Sequence, residues 1–336
     1  MTQPTDTAPL TNERRIGGLR ARVFSPTALQ KLLAFFSFAS PAFMQMDNIL
    51  GILQATAVNG VLAIAATFVI ITGGIDLSVG TLMTFTAVIC GVFLTYWHLP
   101  MWIGVIAAIV TGAICGTISG TLTAKMKIPP FIATLGMMML LKGLSLVVAS
   151  DKPIYFTDTE NFYMISQDSL IGYFLPSVPI PNAVLILFFL AIASAITLNR
   201  TALGRYTFAL GSNEEAVRLS GVNVDRWKIA IYGLGGAICG IAGLLIASRL
   251  NSAQPALGQG YELDAIAAVV IGGTSLSGGS GTILGTIIGA FIMSVLTNGL
   301  RISSSLAELV CCNCASCFSS VSRTSPIRLA FDSLTD

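Results

Sequence analysis

The chain has 336 residues, of which 54% are hydrophobic and 10% charged, with a formal net charge of +2. A soluble domain carries about 25% charged residues, so a chain this poor in charge cannot dress itself for water. An ordinary soluble enzyme, a nucleic-acid binder and a disordered chain are excluded, which leaves a polytopic membrane protein.

Residues 1–31 read as a polar tail, followed by a short apolar stretch from Leu32 to Met44 that contains Pro41. Its 13 residues reach about 20 Å as a helix, against a hydrocarbon core of about 30 Å. A truncated or interfacial first helix is expected; a signal peptide cleaved near Ser37-Phe38-Ala39 is the other reading. Span-length apolar runs follow at 51–71, 79–96, 102–124, 131–149, 182–198, 229–247 and 283–300, with a shorter run at 264–276 that ends in glycines. None alternates as an outer-membrane barrel strand would. The expected fold is all-α: a polytopic transmembrane helical bundle of about nine spans over 32–300, with glycine-broken helices.

The basic residues sort the loops. Arg14, Arg15, Arg20, Arg22 and Lys31, then Lys125 and Lys127, then Arg200, Arg205, Arg218, Arg226 and Lys228 make up 12 of the 18. Basic loops mark the cytoplasmic side, so the N-terminus, 125–127 and 199–228 are expected inside, and 45–48, 96–101, 150–181 and 248–263 outside. Tyr96, Trp97 and Trp102 fall where an interfacial aromatic belt belongs.

An internal echo marks two places where helices break. Residues 71–80, ITGGIDLSVG, line up with 270–279, VIGGTSLSGG, with five of ten positions identical. Glycine pairs let a helix stop and restart, and irregular backbone at membrane depth is tolerated only inside protein or beside water. Gly73, Gly74, Asp76, Ser78, Gly272, Gly273 and Ser277 are therefore candidates for a translocation path; close helix packing through small residues is the competing reading. Asp76 also suits the capping of the helix that starts at 79. Lys142, near the middle of its span, either faces the bundle interior or snorkels toward the outer interface. Glu262 and Asp264, at a helix start placed on the periplasmic side, complement the helix dipole and are candidates for receiving a partner or substrate.

The 199–228 loop is the most specific local feature. Glu214 to Leu219 predicts a short polar helix closed by Gly221, and a structured helix of mixed charge suits docking to a soluble partner. Gly204, Arg205, Asn213, Glu214, Glu215, Ala216, Arg218, Ser220 and Gly221 are its candidate docking residues. No catalytic constellation is present: the sequence lacks a Gly-x-x-x-x-Gly-Lys-Ser/Thr phosphate loop, and the sole histidine, His98, has no zinc-site spacing. Four cysteines crowd into 311–317, but one Cys-x-x-Cys without a second half or a histidine is a weak metal signal, and no metal or other cofactor is expected in this chain.

At these motifs the sequence resembles the ribose-type membrane permeases of bacterial ABC sugar importers. The resemblance is carried by GGIDLSVG at 73–80, PFIATLG at 130–136, TALGRY at 201–206, AVRLSGV at 216–222, RLNSAQP at 249–255, and a run from GYELDA at 260–265 through GGTSL at 272–276 to Gly289. It covers roughly 47–300. It implies about ten transmembrane helices, a permease paired with a second permease subunit, a cytoplasmic ATPase dimer that holds ATP and magnesium, and a periplasmic sugar-binding protein, all at a bacterial inner membrane with the N-terminus cytoplasmic. The loop matching Gly211–Val222 is the expected ATPase-coupling element, and the cargo a monosaccharide, with ribose the first expectation. An ion-coupled secondary sugar or polyol carrier is the alternative.

The family pattern calls for one more apolar span after Arg301, whereas 303–336 hold nine serines and four cysteines. A frameshift after codon 301 and a deletion near 32–44 would account for these departures, and both bear on whether this copy transports.

Overall fold

The computed structural model describes residues 26–156, 161–174 and 180–302. The N-terminal tail and the Ser/Cys-rich 303–336 segment, with its cysteine cluster, lie outside the described residues. The helices, in chain order, are α1 (Pro26–Ala39), α2 (Met46–Ile71), α3 (Val79–Gly91, continued by a π-helical turn at Val92–Tyr96), α4 (Met101–Ala124), α5 (Pro130–Val148), α6 (Leu170–Phe174), α7 (Asn182–Arg200), α8 (Ala202–Ser212), α9 (Glu214–Leu219), α10 (Val224–Leu250), α11 (Tyr261–Ile271) and α12 (Ile283–Ile302). Seven of these, α2–α5, α7, α10 and α12, are long and apolar enough to cross a membrane. With the shorter α1 and α11 they account for the nine apolar segments of the sequence.

Two boundaries differ from expectation. The first helix spans 26–39 rather than 32–44: Pro41 begins a separate 3-10 turn, Pro41–Met44, after extended Ser40. Proline supplies no N–H and biases the residue before it away from helix, so the apolar run extends past the helix it contains. Similarly, α11 starts at Tyr261, ahead of the apolar run at 264–276, and stops at Ile271 before the glycines.

The bundle is organised around α10, which runs along α4 and also packs on α2 and α3. The α4–α10 crossing is a seam of glycines. A methyl on Gly112 would strike the Gly236 carbonyl, one on Gly116 the Tyr232 carbonyl, and one on Gly240 would lie 2.8 Å from the Ala108 carbonyl. Lipid gives helices no hydrophobic reason to associate, so close van der Waals contact through small residues supplies the attraction. The outer faces are apolar: Ile106, Val110, Ile114 and Ile118 form an exposed stripe on α4, and Phe188, Phe189, Ile192 and Ile196 one on α7.

Between α10 and α11 the chain does not cross as a helix. Ser252–Ala253 (β2) pair antiparallel with Ile154–Tyr155 (β1), Ile154 opposite Ala253. Residues 254–260 then run as turns to the start of α11. There Gly258 lies so close to α3 that a methyl on it would meet the Gly80 carbonyl and the Thr84 hydroxyl. A non-helical stretch thus packs against the first turns of α3, the helix into which residues 72–78 lead.

Candidate functional site

Both helix breaks are closed by the same device. At the end of α2, Gly73 takes φ +81°, and the N–H groups of Gly73 and Gly74 donate to the carbonyls of Ile70 and Val69 at 2.9 and 3.3 Å. At the end of α11, Gly273 takes φ +90°, and Gly273 and Thr274 donate to Val270 and Val269 at 3.0 and 3.2 Å. A left-handed residue that returns two N–H groups to the last turn is a Schellman cap, where glycine avoids the Cβ penalty. The caps superpose Gly73 on Gly273 and Ile71 on Ile271, one residue away from the register that maximises identity. The register of identity pairs the two Gly-Gly dipeptides and the two Leu-Ser dipeptides, whereas the caps pair the first glycine of one dipeptide with the second of the other.

Beyond the first cap the chain stays buried. The Asp76 side chain is 7% exposed, and its Oδ1 accepts from the Ser78 N–H at 2.8 Å and the Ser78 hydroxyl at 2.6 Å. Asp76 thus closes a turn at the entry to α3. Thr134, the fifth residue of α5, accepts from the Leu77 N–H at 3.2 Å, and its hydroxyl lies 3.2 Å from the Ile75 carbonyl. A side chain from another helix therefore satisfies backbone groups that the break sets free, as a low-dielectric interior demands. Gly74 lies under Tyr232 of α10: a methyl there would come 2.6 Å from the Tyr232 hydroxyl.

The second break packs directly on the first. The Gly279 N–H donates to the Ile71 carbonyl at 2.9 Å, and a methyl on Gly278 would lie 2.9 Å from the Gly73 nitrogen. Gly273 and Ser277 are exposed and Gly272 is half-buried. The last turn of α8 lies in the same contact: a methyl on Gly211 would overlap the Ile71 carbonyl and stand 2.5 Å from the Gly279 nitrogen. Two residues later Asn213 caps α9, accepting from the Ala216 N–H at 2.9 Å. This helix spans Glu214–Leu219 as the sequence predicts, and Gly221 follows at φ +79°.

α9 presents Glu215, Ala216, Arg218 and Ser220 outward, with Leu219 88% exposed. Its inner side is held down. Glu214 Oε2 pairs with Lys228 Nζ of α10 at 2.6 Å and Glu214 Oε1 with Arg218 at 3.1 Å. Tyr206 of α8 lies against Trp227, ring centroids 4.4 Å apart. Gly204 is buried, because a methyl there would strike the Leu198 backbone at the α7–α8 turn, whereas Arg205 is exposed.

The remaining candidates lie apart from this contact. Lys142 borders a narrow gap shared with Thr81, Thr84, Ser145 and Gln259, so its side chain faces other elements of the bundle. Glu262 and Asp264 occupy the first turn of α11, and Glu262 Oε1 accepts from the Gly260 N–H at 3.2 Å. Both acids stand at a helix start, as the sequence predicts, and Glu262 Oε2 abuts the position a methyl on Gly80 would take, which sets Glu262 beside the first turn of α3. Residues missed by the sequence reading are Thr134, Tyr232, Thr81, Thr84 and the 254–260 stretch. Hydroxyls inside apolar runs carry no periodic signal, and the segments that Thr134 and Tyr232 meet, Ile75–Leu77 and Gly74, lie more than 50 positions away. Among the described residues no group of three or more His, Cys, Asp or Glu side chains comes together as a metal site.

Residues 48–312 match the family model described as branched-chain amino acid transport system / permease component. The ribose import permease protein RbsC of Escherichia coli K12 is 44% identical over 277 residues, 82% of this chain and 84% of that protein. RbsC of Bacillus subtilis 168 is 42% identical over 282 residues, covering 83% and 85%. The fructose import permease protein FrcC of Rhizobium meliloti is 40% identical over 276 residues, covering 81% and 75%. No solved structure matches the chain. With seven apolar spans, paired helix breaks and this extent of likeness, the chain belongs to the branched-chain amino acid transport system permease family of multi-pass inner-membrane proteins.

Proposed function

We propose that the chain is the membrane-spanning subunit of an ATP-driven importer that moves a monosaccharide, ribose or a close relative, across the bacterial inner membrane. The observation that carries this reading is the contact at Gly211. The exposed α9 begins three residues after a backbone that touches both helix breaks at once. A push on α9 from a cytoplasmic partner therefore reaches Ile71 and Gly279 without passing through any flexible link. The names of the relatives, which include ribose and fructose import permeases, support the substrate class.

On this reading the face that carries 125–127 and 199–228 is cytoplasmic, as is the N-terminus, and an ATPase dimer docks on the outer side of α9 through Glu215, Arg218, Leu219 and Ser220. ATP and magnesium belong to that partner; this chain contributes the lever. A second permease subunit completes the membrane part, and a periplasmic sugar-binding protein delivers the cargo. ATP binding would shift α8–α9, and the two capped breaks would carry that shift to α3 and α12.

The test is uptake of labelled ribose in a bacterium that lacks its own ribose permease but keeps the ATPase and the binding protein. Uptake that this chain restores, that needs the ATPase gene and that survives collapse of the proton gradient is the expected result. Uptake that an uncoupler abolishes and that needs no ATPase would establish an ion-coupled carrier instead.

A further inference from the structure

Residues 254–260 present Gln254, Ala256, Gln259 and Gly260 as exposed positions on a stretch without helical hydrogen bonding. The stretch lies against Gly80 and Thr84 of α3, and α3 runs beside α5 with Leu77 bonded to Thr134. Lys142, on the same gap, is 12 residues beyond Pro130 and six before Val148, about 18 Å and 9 Å along the span at 1.5 Å per residue. The gap is therefore inside the membrane. Irregular backbone at that depth cannot face lipid and must meet water or protein.

The side chains around the gap form a complementary set. Thr81, Thr84 and Ser145 are all buried, and their hydroxyl protons go to backbone carbonyls: Thr81 to Ser78 at 3.0 Å, Thr84 to Gly80 at 3.3 Å, Ser145 to Leu141 at 2.8 Å. What these oxygens offer the gap is lone pairs. Lys142 offers ammonium donors and, among the described residues, makes no ion pair or hydrogen bond; Gln259 offers both. A sugar hydroxyl donates and accepts at once, so donors and acceptors side by side suit a polyol. A free carboxylate would satisfy Lys142 and leave the oxygens facing its charge. The gap holds about 10 Å³, room for one water, so it is shut to a sugar in this state.

We propose that Lys142, with Thr81, Thr84 and Gln259, is the sugar-contacting and selectivity point of the translocation path, about two-thirds of the way along α5 from Pro130 and beyond the glycine breaks. This rests on the importer reading. It assigns the breaks to moving the path and this polar face to recognising the cargo.

Two measurements test it on the full chain. In the uptake assay, Lys142→Met raises the KM for ribose about tenfold, the loss of one hydrogen bond to the sugar, and weakens the preference for ribose over 2-deoxyribose; Lys142→Arg restores part of both. Equal membrane levels and unchanged KM and preference in Lys142→Met would overturn the proposal while leaving the importer reading intact. The second measurement does not need transport. With Cys311, Cys312, Cys314 and Cys317 changed to Ser, Gln259→Cys reacts with a membrane-impermeant thiol reagent and ribose slows the reaction, whereas Phe189→Cys on the lipid face stays unlabelled. If Gln259→Cys stays unlabelled in folded protein, the path does not run there. Labelling in a chain that restores no uptake would keep the polar face and remove the importer reading.

Discussion

The two helix breaks begin alike and end differently. Both close with a glycine at positive φ and two returned N–H groups. After the first, the chain stays buried: Asp76 and Ser78 bond each other and Thr134 reaches in from α5. After the second, the chain opens to the surface, with Leu276, Ser277 and Ser280 exposed; its side chains make local bonds such as Ser277 N–H to Ser275 Oγ at 3.3 Å, and its one backbone tie to a distant element among the described residues is Gly279 N–H to the Ile71 carbonyl. The difference follows from surroundings. A break inside the bundle must find a protein partner for each freed backbone group, whereas one at the surface finds water. The first break is therefore held along its whole length, whereas the second is held at Gly278–Gly279 and is freer between Ser275 and Ser277.

Substitutions can break or sharpen that contrast. The largest effect is expected at Gly211, which touches both breaks: Gly211→Leu drives a side chain into backbone atoms that cannot step aside, costing about 3 kcal/mol, and abolishes ribose uptake, measured with thermal stability of the detergent-solubilised protein. Next comes the partner that only the first break has. Thr134→Val orphans the half-buried Leu77 N–H and costs about 1 kcal/mol, while Ser275→Ala at the second break stays within about 0.5 kcal/mol; equal losses from the two would dissolve the contrast. The caps should then behave alike, since Gly73→Ala and Gly273→Ala each force a side chain into the left-handed region for about 1 kcal/mol. A cost at Gly273 well above that at Gly73 would mean the second break is the more constrained. The smallest effect belongs to Arg218→Ala, whose pairing with Glu214 is solvent-exposed and worth no more than about 0.5 kcal/mol to stability. Its uptake falls further than its stability if α9 docks an ATPase, a split that a mere surface ion pair does not produce.

The spans were legible because lipid imposes a length and an apolar content that hydropathy reads directly. α9 was legible because its signals are local: Asn213 before it, acids in its first turn, Gly221 after it. The boundary of α1 was obscured because an apolar run and a helix are different things, and Pro41 separates them. The echo was visible but offset by one residue, since identity weighs every position equally whereas the cap depends on a single left-handed glycine. What the sequence kept hidden is what joins distant segments: Thr134 on Leu77, Tyr232 over Gly74, Gly211 on Ile71 and Gly279. Each is a small or polar residue whose importance arises only when another helix arrives beside it.

The glycine seam between α4 and α10 carries one more consequence. Backbone meets backbone there with no side chain between, and such a contact has no soft spacer to compress or rotamer to flip. The two helices then serve as a built-in ruler. A pair of spin labels set on the far faces of α4 and α10 should report one constant separation through the whole transport cycle, and every other distance in the protein can be calibrated against it.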